Sequence, residues 1–192
     1  MIFVIRIIVS LSIASLLVAC SSTTPLVKQP PEYGYEKDAI QLRLVGDPQL
    51  NLYQKKAHSL IVCLYHLRDP NSFNQLISEK DGLPRLLECS RFDPSVTYSR
   101  RFVVQPNQDV TELLDRTDGA RYVGVVAGYY TLHKENSVRF FSIPMTEVKD
   151  GSTLVQKTAK LNIDLHLGSQ EIKPASEAVK TQAPINNEKE KR

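Results

Sequence analysis

Apolar and polar positions alternate along much of the chain with the period of two that is typical of β-strands. In the first such run, Ile40, Leu42 and Leu44 would share one face, with polar side chains between them. A later run, residues 121–130, is almost continuously apolar, as central strands often are. Pro, Asn, Asp and Gly residues end most of the runs. The pattern predicts strands at residues 39–45, 59–67, 96–104, 121–130, 137–143 and 160–167.

Two segments have the pattern of short helices instead. Ser72 can cap a helix that extends to residue 77, and a continuation over residues 83–87 fits the same apolar spacing. Asp109 can cap a second helix over residues 110–115. Closely spaced strands with two helical excursions favour an all-β fold over a parallel α/β fold. We therefore expect a β-sandwich with a small helical insertion.

The first 19 residues have the composition of a secretory signal peptide, with one charge (Arg6), an apolar run and small residues before Cys20. A membrane-spanning helix is the alternative, but the polar sequence SSTTP follows without stop-transfer charges. The sequence Leu17-Val18-Ala19-Cys20 resembles the bacterial lipobox, in which a peptidase cuts before a cysteine whose sulfur carries diacylglycerol. We predict a cleaved signal peptide at residues 1–19 and covalent diacylglycerol and N-acyl chains at Cys20.

The lipidated cysteine would make the mature protein a peripheral membrane protein. Two or more acyl chains give a stable anchor, because each buried CH2 contributes about 0.8 kcal/mol. Ser21, directly after the cysteine, resembles the sorting position of exported outer-membrane lipoproteins. No second run of about 20 apolar residues follows that could cross a bilayer.

The remaining chain divides by composition into three parts. Residues 20–37 are rich in Ser, Thr and Pro and are predicted to be a tether. Residues 38–168 have the length of one domain and can bury a core without metal or disulfides. Residues 169–192 are polar and have few large apolar side chains, so we expect a disordered tail.

Charge and motif content argue against several classes of function. The net charge is only +3, and Lys and Arg do not cluster, which argues against nucleic-acid binding. The usual nucleophile, phosphate-binding and zinc-binding motifs are missing from the sequence. Its four histidines are isolated in the sequence, although His66 and His166 lie on predicted strands and could meet in space. Glu79, Asp81 and Glu88 lie in a charged segment where solvated side chains are the norm. We predict no catalytic residue, no metal site and no cofactor.

Two further cysteines, Cys63 and Cys89, leave two interpretations open. The periplasm is oxidising and permits a disulfide between them. A buried thiol in a small core is equally common, and sequence spacing alone does not decide the pairing.

The segment between the first two predicted strands, residues 47–57, is longer than the two to five residues of an ordinary hairpin loop. It contains Leu50, Asn51, Leu52 and Tyr53, a mixture of apolar and hydrogen-bonding side chains that suits a protein partner. The alternative is that Leu50 and Leu52 fold back over the edge of the sandwich.

Two stretches resemble a known family. The run LNLYQKKAHSLIVCLYHLRDPNSF is similar to one in type VI secretion outer-membrane lipoproteins (TssJ or SciN type). In that family a Leu-Asn pair precedes a loop, an aromatic–polar–Leu triplet ends a strand and a Phe opens a helix. Leu50-Asn51, Tyr65-His66-Leu67 and Phe73 match these features. The run ARYVGVVAGYYTLHKENSVRFFSIP resembles a later strand, turn and strand of the family, with Arg139 at an arginine position. With the lipobox, the resemblance covers residues 17–168.

The resemblance implies a transthyretin-like β-sandwich with a small helical insertion and a non-enzymatic role in the type VI secretion membrane complex. It implies that the loop at residues 47–57, with Leu50, Asn51, Leu52 and Tyr53, contacts the C-terminal periplasmic domain of a TssM-type inner-membrane protein. Cys20 would hold the protein on the periplasmic face of the outer membrane, with no cofactor or small-molecule substrate. A stand-alone ligand-binding or pilotin-like lipoprotein is the alternative, and an envelope hydrolase would need a clustered nucleophile and base.

Overall fold

The computed structural model describes residues 31–150 and 153–173. Strands dominate this part of the chain, and three short helices interrupt them. The elements in chain order are β1 (Glu36–Gly46), β2 (Leu60–Leu67), α1 (Asn71–Ser78), α2 (Gly82–Leu86), β3 (Val96–Val104), β4 (Asp109–Arg116), β5 (Tyr122–Ala127), α3 (Lys134–Ser137), β6 (Val138–Ser142), β7 (Met145–Asp150), β8 (Thr153–Thr158) and β9 (Leu161–Leu167).

The strands form two sheets and a separate hairpin. The three-stranded sheet has the order β4-β1-β9, in which β1 is antiparallel to β4 and parallel to β9. The four-stranded sheet has the order β3-β2-β5-β6 and is antiparallel throughout. Strands β7 and β8 pair with each other as a two-stranded hairpin. Ile40 on β1 lies opposite Leu114 on β4 and opposite Leu161 on β9. All three side chains belong to the buried core.

One face of each sheet contributes to a shared core. On β9, alternate side chains from Leu161 to Leu167 are buried and those between them are exposed, as the sequence pattern predicted. Ile40, Leu42 and Leu44 on β1 pack in the same cluster as inward-facing residues of β2 and β5. The prediction of an all-β sandwich is confirmed.

The small helical insertion covers the outer face of the four-stranded sheet. Phe73 on α1 and Leu86 on α2 are fully buried there against Tyr65 and its neighbours. A Cβ atom at Gly124 on β5 would lie 2.6 Å from the Phe73 ring, so only glycine allows the helix to approach this closely. The hydroxyl of Tyr65 donates a hydrogen bond to the carbonyl of Leu86. The predicted helix at residues 72–77 and its continuation over residues 83–87 correspond to α1 and α2, but Ser72 lies inside α1 and does not cap it.

A disulfide between Cys63 and Cys89 links the insertion to the sheet. Cys63 lies on β2, Cys89 follows α2, and their Cα atoms are 5.1 Å apart. This separation is within the range that disulfides require. Of the two interpretations left open by the sequence, the structure has the disulfide.

The helix predicted over residues 110–115 is wrong, because this segment is strand β4. It pairs antiparallel with β1 from Val45 opposite Asp109 to Ile40 opposite Leu114. The pairing satisfies the backbone groups that a helix would otherwise satisfy internally. The prediction also missed the β7–β8 hairpin and helix α3.

The packed part of the chain extends beyond both predicted boundaries. Ile172 is fully buried in the core and forms a bridge with Leu167, so the predicted tail from residue 169 begins inside the fold. At the other end, Tyr33 packs against the core, and its carbonyl oxygen accepts a hydrogen bond from the amide of Gly119 at 2.6 Å. The folded region therefore includes residues that the composition assigned to the tether and to the tail.

The strand directions give the sandwich two distinct ends. At the first, which we call the tether end, the chain enters β1 after Tyr33, and β4 and β6 finish. At the second, the loop end, β1 finishes and the β1–β2 loop (residues 47–59) begins. The amide of Gly46 donates to the carbonyl of Gln108, which brings the β3–β4 turn to the loop end as well. Strand β1, 11 residues long, connects the two ends directly.

No helix among residues 31–150 and 153–173 is long and apolar enough to cross a membrane. The predicted lipidation site, Cys20, and the predicted signal peptide lie outside the described residues.

Candidate functional site

The β1–β2 loop begins with a tight turn at Asp47. Its carboxylate accepts a hydrogen bond from the amide of Gln49 at 2.9 Å and forms an ion pair with the ammonium group of Lys173 at 2.6 Å. The ammonium group of Lys173 and the Gln49 amide together lower the pKa of Asp47. The amide of Leu50 closes the turn by donating to the Asp47 carbonyl. The start of the loop is therefore fixed in direction.

The tip of the loop is a miniature hairpin. The amides of Tyr53 and Lys56 each donate to the other residue's carbonyl at 2.9 Å. Gln54 and Lys55 between them have φ angles of 49° and 61°. Two successive residues with positive φ identify a type I′ turn, the turn that matches the twist of paired strands. The tip is an ordered structure that sets the position of Tyr53.

Leu50 and Asn51 face inward, which corrects part of the predicted contact surface. Leu50 is fully buried in the core, as the alternative of folding back over the sandwich edge required. Asn51 is 6% exposed and has a positive φ of 47°. Its side-chain NH2 group donates to the carbonyl of Ser59 at 3.1 Å, and its side-chain oxygen accepts from the backbone amide of Tyr130 at 3.1 Å. These two residues hold the loop in position and expose almost no surface to a partner.

The segment that follows β9 supports the loop from one side. The amides of Asn51 and Leu52 donate to the carbonyls of Gly168 and Ser169 at 3.2 and 2.8 Å. Leu52 is half-buried at this contact. The loop is thus attached to the end of the predicted domain and to Ser169, which the sequence had assigned to a disordered tail.

Arg139, the arginine noted in the sequence, holds this supporting segment. Its guanidinium donates to the carbonyl of Ile172 and, at 2.9 and 2.8 Å, to the carbonyls of Glu135 and Val138. Five donors in a fixed planar arrangement allow one arginine to bond several carbonyls at once. Arg139 therefore acts on the loop indirectly, by positioning the segment against which the loop lies.

Tyr53 is the exposed member of the predicted contact set, and the structure adds Tyr130 and His58 to it. The rings of Tyr53 and Tyr130 stack with centroids 4.3 Å apart, and they are 46% and 55% exposed. His58 meets Tyr130 edge to face at 5.3 Å. We call these three residues the loop aromatic cluster. Paired exposed aromatic rings of this kind are enriched in protein interfaces.

Sequence reasoning missed Tyr130 because it lies beyond β5, far from the loop in the chain. The available signal was the pair Tyr129-Tyr130 at the end of an otherwise apolar strand. Tyr129 turns inward and is 4% exposed, whereas Tyr130 turns outward. Lys55 and Lys56 next to Tyr53 are exposed and add positive charge to the rim of the cluster.

The histidine, cysteine and acidic side chains of the described part of the chain are spread over both ends of the sandwich and the helical insertion. Within that part, no three His, Cys, Asp or Glu side chains are placed to hold a metal ion. His66 is buried near the tether end, whereas His166 lies near the end of β9 at the loop end, so the two do not meet. Glu79 forms a 3.9 Å ion pair with Arg85.

A cleft of about 430 Å³ lies at the tether end between the N-terminal segment and β8. Its lining residues are Glu32, Gly34, Glu36 and Val155 to Thr158. A nucleophile paired with a histidine base, which the hydrolase alternative requires, is not found among these residues.

This chain is similar to known proteins in both sequence and fold. The family model described as type VI secretion lipoprotein (VasD, EvfM, TssJ) matches residues 38–170. The T6SS lipoprotein TssJ1 from Pseudomonas aeruginosa is 21% identical with a TM-score of 0.50, over 76% of this chain and 99% of that one. The Serratia marcescens Lip structure, a membrane bound component of the Type VI Secretion System, is 17% identical with a TM-score of 0.50, over 70% and 95%.

Comparison with curated protein sequences gave no match. The two solved structures show that this chain shares the fold of those lipoproteins. The family model covers well over half of the chain, including both sheets and the β1–β2 loop. On that basis the chain belongs to the type VI secretion lipoprotein family.

Proposed function

We propose that this protein links a type VI secretion complex to the outer membrane from the periplasmic side. Acyl chains on Cys20 would hold its N-terminus in the membrane. The loop aromatic cluster would bind the C-terminal periplasmic domain of a TssM-type inner-membrane protein. The role is structural and needs no cofactor.

One observation carries the proposal: the candidate partner site and the entry of the tether lie at opposite ends of the sandwich. Tyr33 is fixed at the tether end, and Tyr53 is presented at the loop end, with β1 running between them. An 11-residue strand spans about 35 Å. A linker between a membrane and a protein needs this separation, because the partner then approaches without meeting the bilayer.

The order of the loop supports a binding role. Its tip is fixed by reciprocal hydrogen bonds, and its base by Asn51 and by the segment after β9. A site that is already in its bound shape loses little conformational entropy on binding. The exposed stacked rings supply apolar contact area, and Lys55 and Lys56 can pair with carboxylates at the rim.

The experiment measures partner capture and membrane attachment separately. Replacing Tyr53 and Tyr130 together with Ala should weaken capture of the TssM-type domain by at least tenfold, since aromatic residues at interface centres often contribute more than about 2 kcal/mol. Tyr35→Ala is the matched control, because Tyr35 is 63% exposed at the tether end. Cys20→Ala should leave capture intact and release the protein from outer-membrane fractions.

Unchanged capture by the double Tyr variant would move the interface away from the loop. Recovery of a secretin or of a small ligand instead of the TssM-type domain would favour the stand-alone lipoprotein. A Cys20→Ala protein that still fractionates with the outer membrane would contradict lipid anchoring.

A further inference from the structure

The Cys63–Cys89 disulfide has one buried sulfur and one that lies near the surface. Cys63 is fully buried on β2, between β3 and β5 and under the helical insertion. Cys89 is half-buried, and its chain neighbours Glu88 and Ser90 are both exposed. A reagent in solution therefore approaches the disulfide from the side of Cys89, because the sheet and the insertion cover Cys63.

The segment that carries Cys89 is accessible to a second protein. Residues 87–95 connect α2 to β3 without regular secondary structure. The amide of Cys89 donates to the carbonyl of Leu86 at 3.3 Å, which holds the residue at the end of α2. Ser90 and Arg91, which follow, are exposed. An enzyme that binds a short extended peptide around a cysteine can contact this segment without opening a strand.

An arginine lies against the sulfur of Cys89. Arg101 is on β3, directly opposite Cys63 in the register. Its Nε atom donates to Cys89 Sγ at 3.5 Å, and its Nη2 atom donates to the carbonyl of Glu88 at 3.0 Å. The second contact fixes the guanidinium beside the sulfur. A cation in this position favours the thiolate over the thiol, and the thiolate is the form that attacks disulfides.

Tyr65 and Glu88 are the other titratable groups beside this sulfur. The hydroxyl of Tyr65 donates to the carbonyl of Leu86, and burial raises the pKa of Tyr65 above its usual range, so that it stays neutral. The carboxylate of Glu88 opposes the effect of Arg101, but its side chain is exposed to water and salt, which screen it. The guanidinium therefore has the larger effect on Cys89.

The accessible sulfur determines the order of steps when the disulfide forms. In the reduced chain, the Cys89 thiolate attacks a disulfide sulfur of the oxidant, one oxidant thiolate leaves, and a mixed disulfide remains on Cys89. Cys63 then attacks Cys89 Sγ and releases the second oxidant thiolate. The chain loses two electrons, and its two thiol protons pass through water to the oxidant, which ends as a dithiol.

The buried sulfur makes the reverse reaction unfavourable. A reductant thiolate attacks Cys89 Sγ, and Cys63 must leave as a thiolate among apolar side chains such as Leu86 and Val126. Burial disfavours that charge. The released Cys63 also stays next to Cys89 and can displace the reductant again. The geometry thus favours a disulfide that forms readily and is then retained.

We propose that Cys89 is the thiol–disulfide exchange site of this chain, on which a protein disulfide oxidase forms a transient mixed disulfide. Cys63 is the resolving cysteine, and Arg101 keeps Cys89 reactive. The oxidant belongs to an oxidising compartment, so in the cell this step rests on the proposed periplasmic location. The chemistry of the two sulfurs can be tested in vitro whether or not that location is correct.

Reduced glutathione tests the site in the unsubstituted full-length protein. The thiol is added without denaturant, the reaction is quenched with acid, and the mixed disulfides present are assigned by peptide mass, which counts Cys20 separately. We expect at least ten times more glutathione on Cys89 than on Cys63. Adducts that favour Cys63, that divide evenly between the two, or that form only in denaturant would overturn the proposal.

Reaction rates test the role of Arg101. In Cys63→Ala, the free Cys89 thiol reacts with the uncharged probe 2,2′-dithiodipyridine, and the rate is followed as a function of pH. Adding Arg101→Gln should lower the rate at neutral pH by about threefold and move the rate profile to higher pH. Arg100→Gln is the matched control, because Arg100 lies on the opposite face of β3 and pairs with Glu112. It should keep the original profile.

Cys89→Ala completes the comparison, because it leaves Cys63 to react with the same probe. We expect this thiol to react at least tenfold more slowly in the folded protein. All chains in the rate measurements carry Cys20→Ala, and circular dichroism checks their folding. Equal rates at the two cysteines would overturn the exchange site, and an unchanged profile in Arg101→Gln would overturn the role of the arginine. If the single-cysteine chains do not fold, the glutathione result on the unsubstituted protein decides.

Discussion

At the scale of single residues, His66 is a buried titratable group with a direct effect on stability. It is fully buried on β2, with Nδ1 3.2 Å from the hydroxyl of Thr117 and the ring 4.9 Å from that of Tyr98. Burial lowers the pKa of His66 to about 4. Between this value and its ordinary pKa of 6.5, the unfolded chain binds a proton that the folded protein does not.

We therefore expect the free energy of unfolding to fall as the pH decreases from 6.5 to about 4, by about 3 kcal/mol in total from this residue. The carboxyl groups of Asp47, Asp109 and Asp115, whose pKa values are lowered from 3.8, contribute to pH dependence below this window. The free energy of unfolding of His66→Gln, measured with urea, should depend less steeply on pH between 6.5 and about 4 than that of the unsubstituted protein. His133→Gln, at an exposed histidine, is the control and should keep the original slope. An unchanged slope in His66→Gln would contradict the assignment.

At the scale of elements, the type I′ turn at the tip of the β1–β2 loop is formed by residues that do not favour it. Gln54 and Lys55 have positive φ, where side chains other than Gly, Asn and Asp cost about 1 kcal/mol or more each. Asn-Gly is the preferred pair for this turn. The loop keeps its conformation because hydrogen bonds on both sides hold it.

Replacing Gln54 with Asn and Lys55 with Gly should therefore raise the free energy of unfolding by about 1 kcal/mol. Binding to the TssM-type domain should weaken only slightly, because Tyr53 would keep its position and the loss of Lys55 removes one charge at the exposed rim. Denaturant unfolding and a capture assay measure the two outcomes. Lys37→Gly is the control at an exposed lysine of β1 that does not have positive φ, and it should lower stability. A loss of stability in the Asn-Gly variant would show that the turn is not held as described.

Elements with one buried face were predictable from sequence, and elements defined by distant contacts were not. Strand β9 was found because its alternating leucines and isoleucine share one face. Strand β4 was mistaken for a helix because Val110, Leu113 and Leu114 have helical spacing, although Leu113 is 57% exposed. Its partner β1 lies more than 60 residues earlier in the chain, and such a pairing is invisible to local patterns. The β7–β8 hairpin was missed because it has no continuous buried face.

The position of the candidate site was predictable from sequence, but the identity of its exposed side chains was not. The unusual length of the β1–β2 loop located it, but local sequence did not indicate which side chains face outward. Leu50 turns inward because core residues of both sheets surround it, and Asn51 because Ser59 and Tyr130 supply its hydrogen-bond partners. Tyr130 joins the cluster only once β5 is placed beside β2.

At the scale of the whole molecule, the two ends of the sandwich are connected by β1, and Arg116 fixes the start of that strand. Its side chain is 3% exposed. The guanidinium donates to the carbonyl of Gly34 at 3.1 and 2.8 Å and forms an ion pair with Glu36 at 3.1 Å. Tension on the N-terminus would therefore reach β4 through Arg116 as well as through the backbone of β1. We infer that this arginine keeps the tether entry folded under load.

Arg116→Met keeps most of the side-chain length but removes the hydrogen bonds to the Gly34 carbonyl and the ion pair with Glu36, which keeps only the hydroxyl of Thr158 among the described residues. We expect the free energy of unfolding to fall by about 2 kcal/mol, because the part-buried Gly34 carbonyl loses both hydrogen bonds from the guanidinium. Amide hydrogen exchange should increase across residues 33–38 and stay unchanged in the β1–β2 loop. The Kd for the TssM-type domain should also stay unchanged, since that site is at the other end. Arg43→Met removes exposed ion pairs to Asp109 and Asp164 on the same sheet and should change stability far less. Equal effects of the two substitutions would show that the tether entry is not held by Arg116.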